Sequence, residues 1–175
     1  IEIGNIDISN ANYKNDEGEY RICTVTLQAL QSNFIYTATL NAPFAKASYS
    51  GPAPMNKFLD KVIDLSAKSK MDNFIERDST VLYNKGNYRF TAQTFNTMAI
   101  CKAILPGLYI MDSTRVNLII DKKDNLNLTL NSGRLAMNAD YLKNLSLKLS
   151  TGASKPTVAQ LYSSNIRFSG MRMDS

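Results

Sequence analysis

Histidine and tryptophan are absent from this chain. Without histidine there is no usual general base for a serine or cysteine hydrolase and no commonest transition-metal ligand. Ordinary catalytic triads and histidine–zinc sites are therefore excluded. The two cysteines, Cys23 and Cys101, lie far apart in apolar, strand-like surroundings and lack the close CxxC spacing of a zinc or redox site. The expectation is two buried free thiols acting as small hydrophobes, a long-range disulfide being the alternative. No apolar run approaches the roughly 20 positions that a membrane-spanning helix needs. Blocks of like charge are missing too: the 20 basic residues exceed the 15 acidic ones, giving +5 and a pI near 9.2, but they are scattered singly. Of the glycine-containing turns, "GPAP", "NKGN" and "NSGR" lack the second glycine and following Lys-Ser/Thr of a phosphate-binding loop. These absences leave no catalytic, cofactor or metal motif, and no cofactor is implied.

What remains is enough apolar material to fold. Hydrophobic residues make up 44% of 175, which suits one domain over residues 1–175 with a core of its own. The chain opens on Ile1 rather than methionine, so a removed upstream segment is expected, and the polar end Met171–Ser175 is one that an assembly would tie down.

Alternation of period two dominates. Ile1, Ile3, Ile6 and Ile8 predict a strand with a phase slip at Gly4, followed by a polar loop, "KNDEGEY", at 14–20. Residues 20–30 and 34–42 predict an antiparallel hairpin, and "PFAKASYSGPAP", 43–54, an irregular connection. Met55, Phe58, Leu59, Val62 and Ile63 recur at helical spacing and predict a helix over about 54–77, with Pro54 in its first turn. β character returns at 81–83 and 88–95; 97–105 fits a short helix or a buried strand pair. Strands are expected at 115–120 and 125–130 around the turn "DKKD", then a turn, a short segment 134–137, and strands at 142–149, 158–162 and 165–171.

"VNLII", "LNLTL", "KNLSLKL" and "SNIRF" each place an aliphatic residue after an asparagine, at Asn117, Asn127, Asn144 and Asn165. Their spacing drifts, whereas a solenoid needs a constant period. The fold expected is therefore mainly β, an antiparallel β-sandwich or barrel with one helical insertion. A partial β-solenoid in the C-terminal half is the alternative.

Candidate sites are few. Asp60 and Asp64 stand four apart on the helix and could share a metal, but Lys57, Lys61 and Lys68 are within reach, so a salt-bridged surface is the expectation. Asp121 and Asp124 flank Lys122 and Lys123 where aspartate simply favours a turn. "NYRF" at 87–90 and "NIRF" at 165–168 set an arginine beside an aromatic. They mark Tyr88, Arg89 and Arg167 as candidates for a nucleic-acid site that stacks bases and holds phosphates, although core aromatics beside solvated arginines would look the same. Asn127-Leu-Thr and Asn144-Leu-Ser match the glycosylation pattern, which matters only in a secreted eukaryotic chain.

The expectation drawn from all this is a non-enzymatic structural or interaction subunit of a larger assembly, such as a virion, phage tail or cell-surface complex. Its partners would be copies of itself or other protein subunits. A single-stranded nucleic-acid-binding protein is the alternative, and a carboxylate-based enzyme comes third.

Overall fold

The computed structural model describes residues 2–15, 18–68, 85–95, 97–104, 107–111, 113–152 and 155–168. Among these residues eleven strands form one sheet: β1 (Glu2–Asn15), β2 (Gly18–Ser32), β3 (Ile35–Asn41), β4 (Ala45–Gly51), β5 (Tyr88–Thr94), β6 (Leu108–Ile110), β7 (Arg115–Ile120), β8 (Leu126–Met137), β9 (Asp140–Gly152), β10 (Lys155–Tyr162) and β11 (Asn165–Arg167). Every pairing is antiparallel, and the order across the sheet, β1-β2-β3-β4-β5-β7-β8-β9-β10, follows the chain. β6 continues the line of β7 along β8, and β11 that of β10 along β9. The expectation of a mainly antiparallel β chain with a helical insertion holds, and the sheet is not closed into a barrel. The β-solenoid alternative is wrong, because a solenoid stacks parallel strands and "LNLTL" and "LSLKL" pair antiparallel within the β8–β9 hairpin.

Helix α1 (Met55–Lys68) enters between β4 and β5, which are themselves neighbours in the sheet. Pro54 accepts the first backbone bond, from Phe58 N at 3.1 Å, so the fixed φ of a proline just ahead of the helix sets its start. Phe58, Lys61 and Leu65 lie along the buried face of the helix. The Phe58 ring sits 5.0 Å from Tyr49, 5.8 Å from Tyr88 and 6.3 Å from Phe90, and with Leu118, Ile120 and Leu126 these side chains form the core. Burying a phenylalanine of this kind contributes about 2–3 kcal/mol. Gly51 is what lets the rings close, since a Cβ there would stand 2.5 Å from the Tyr88 ring and 2.7 Å from the Tyr49 hydroxyl.

Several boundaries differ from those predicted. Residues 45–51 form β4 instead of an irregular stretch: prolines 43, 52 and 54 bound a strand whose small residues, Ala45 and Ala47, alternate in phase with Tyr49. Of the two readings of the 97–105 segment the helical one holds for its described part, α2 (Met98–Ile104), whose Cys101 is buried. Cys23, expected to be buried, is exposed on β2, and both thiols are free. β8 runs unbroken through "NSG" where a turn was predicted, because β9 pairs with it in one register on both sides of Gly133. The expected helix beyond Lys68, strand 81–83 and tail Met171–Ser175 fall outside the described residues.

Candidate interaction surfaces

Strand alternation sorts the sheet into two faces. On the face that carries α1, register aligns Ile6, Leu27, Leu40, Ala47, Ala92, Val116, Leu130, Leu147 and Leu161, one from each of nine strands and all apolar. One residue out of phase, the aligned set is Asn5, Gln28, Thr39, Ser48, Thr91, Asn117, Thr129, Lys148 and Gln160, all polar. Such separation is what a sheet with one face packed and one solvated requires.

The packing is incomplete. α1 covers the ring cluster, yet no member of the apolar row is fully buried, and its ends are open: Ile6 is 56% exposed, Leu27 40% and Leu161 60%. Leu59 and Ile63, four apart on the outer side of α1, are exposed as well. A groove of about 600 Å³ lies on the opposite, polar face, between the row Thr39, Ser48, Thr91 and Asn117 and the row Asn41, Lys46, Gln93 and Arg115. On the polar face, Lys46, Arg89, Arg115 and Lys148 lie among the neutral polar rows, with the carboxylate of Asp7 on the same side in β1. Ser48 and Thr91 close a cross-strand hydrogen bond of 2.7 Å there.

Tyr88, Arg89 and Arg167 do not come together. Alternation turns the Tyr88 ring inward, where it is 1% exposed, stacked on Phe58 and capped by Lys61 Nζ at 5.3 Å, so neither of its faces is presented to a base. Arg89, one residue on, is exposed with its side chain on the polar face. Arg167 is exposed on β11, on a different part of the sheet. The charge beside Tyr88 is instead a pair that spacing alone did not reveal: Lys61, 3% exposed, meets Asp124 Oδ1 at 2.5 Å from across the sheet. Burial, and then the Asp124 carboxylate, push the Tyr88 hydroxyl above its ordinary pKa; burial and Tyr88 do the same to Tyr49, which donates to the carbonyl of Ala53.

The aspartates take the roles their settings dictate. Asp60 is exposed and pairs with Lys57 at 3.8 Å, the solvated surface expected of it. Asp121 organises the β7–β8 turn: its carboxylate accepts from Asn125 Nδ2 at 2.8 Å and from the backbone N–H groups of Lys123 and Asn125, and these bonds, the Asn125 side chain first, hold its pKa below the usual value. Among the described residues no group of three or more Cys, Asp or Glu side chains is placed to hold a metal.

A second cluster lies where β8 and β9 run past β7. Tyr109, Ala136, Tyr141 and Arg167 share one register row, and Arg134, Lys143 and Asn165 the next on the same face. The Arg134 guanidinium stands 5.7 Å over the Tyr109 ring and 5.2 Å over that of Tyr141, and Lys143 Nζ lies 5.3 Å over Tyr141. Of this group only Arg167 was singled out from sequence; the rest depends on pairing among β6, β8, β9 and β11. Comparison with protein-family models, curated proteins and solved structures gives no match.

Proposed function

We propose that this chain is a non-enzymatic interaction subunit that associates with further copies of itself through the open part of its apolar face and the strand edges that end it. The observation that carries this reading is the nine-residue apolar row, no member of which is fully buried and whose ends, Ile6, Leu27 and Leu161, are exposed. Its two ends fall on the sheet's outermost strands: Ile6 on β1 and Leu161 on β10. A strand added at either edge would extend the apolar row and the polar row together, with main-chain hydrogen bonds holding the register. Exposed apolar side chains gathered at the ends of a sheet mark places where a further strand gains by packing. Assemblies such as a virion, a phage tail or a cell-surface complex are settings that use subunits of this sort.

Sedimentation velocity of the whole chain over a range of concentrations tests the reading. The expected result is a concentration-dependent oligomer that shifts towards monomer in the Ile6→Asp, Leu161→Asp double variant. A monomer at every concentration, or an oligomer indifferent to both substitutions, would overturn it.

A further inference from the structure

We infer that Arg134, Lys143 and Arg167, with Tyr109 and Tyr141, form a binding site for single-stranded nucleic acid. The argument begins with a cost. Arg134 and Lys143 are directly opposed on β8 and β9, an arrangement in which like charges repel. Arg167 adds a third cation opposite Tyr141, and neither register row holds a carboxylate; Asp140 lies at the hairpin end, opposite Met137. All three cationic side chains are exposed, so the fold gains little packing from them. A bound polyanion would turn this local repulsion into attraction.

The two rings narrow the polyanion to one kind. Tyr109 and Tyr141 are half-buried, and both rings stand within cation–π distance of the exposed Arg134 guanidinium, a planar donor suited to a phosphate. Aromatic faces interleaved with cations match alternating bases and phosphates, the pattern by which single strands are held without sequence readout.

Fluorescence anisotropy of a dye-labelled single-stranded oligothymidine, titrated with the whole chain at several salt concentrations, tests this. The expected result is binding that weakens as salt rises. Arg134→Gln, Lys143→Gln and Arg167→Gln should each lower the log–log salt slope by about 0.7. Tyr141→Leu should weaken binding about tenfold with the slope kept. Arg89→Gln and Lys148→Gln on the polar face serve as controls expected to change neither. Arg167→Gln, on a short exposed edge strand, keeps the test valid if substitutions within β8–β9 impair folding. Absence of salt-dependent binding would overturn the inference. So would equal losses in the control variants, which mean diffuse attraction to a basic surface, or equal binding of poly-glutamate. The site is distinct from the apolar row, so either proposal can fail alone.

Discussion

Tyr49, Tyr88 and Gly51 illustrate how closely a few side chains are bound to one another. Because both tyrosines are disfavoured as phenolates, their stabilising effect is complete below the unfolded-state pKa of about 10 and is lost as pH rises through the raised folded-state values. Ultraviolet titration of the nine tyrosines should show two ionising late, together with alkaline unfolding; nine ionising uniformly in the folded chain would contradict the burial described. Gly51→Ala places a methyl group inside contact distance of both rings and should destabilise by about 1–3 kcal/mol in denaturant titration. Lys61→Ala leaves Asp124 without its ammonium. Since Asp124 is partly open to solvent, the loss should be about 2 kcal/mol, below that of a fully buried pair, with part regained in the Lys61→Ala, Asp124→Asn double variant.

At the scale of elements, two asparagines explain why the hairpins defeated simple alternation. Asn10 in β1 and Asn144 in β9 take left-handed φ values of 53° and 48° inside strands, and each falls where the apolar phase of the sequence slips: Ile6 and Ile8 before, Ala11 and Tyr13 after; Leu142 before, Leu145 and Leu147 after. Asparagine is the side chain that bears this conformation at least cost after glycine. Replacing Asn144 by glycine should therefore be near neutral, whereas valine should lower stability by about 1–2 kcal/mol; equal effects in thermal unfolding would rule out the backbone explanation. The strands and the start of the helix were legible because period-two and helical spacing are local signals. β4 was hidden by its flanking prolines. The burial of Tyr88 was hidden because the residue that covers it, Phe58, comes from a different element. The cationic cluster was hidden for the same reason, since it assembles from four strands and only "NIRF" left a trace of it.

For the whole molecule, stability is concentrated where α1 meets the sheet. Phe58→Ala should cost about 3–5 kcal/mol and unfold much of the chain, while substitutions at the outer strands should affect association more than folding. Guanidinium titrations of Phe58→Ala and of Leu161→Asp, followed by circular dichroism, would separate the two: a large loss of folding stability in Leu161→Asp would mean that the row belongs to the core.

The chain-ordered sheet has a consequence of its own. Each strand along the main path bonds only to strands adjacent or nearly adjacent in sequence, so the architecture is additive, in the manner of repeat arrays whose units touch only their neighbours. A hairpin inserted at the β2–β3 turn, or removed from the β1 edge, would lengthen or shorten both the apolar and the polar rows without requiring a new topology. The width of the sheet is thus a quantity that duplication of hairpins could change in whole steps, while the α1 cluster stays as it is.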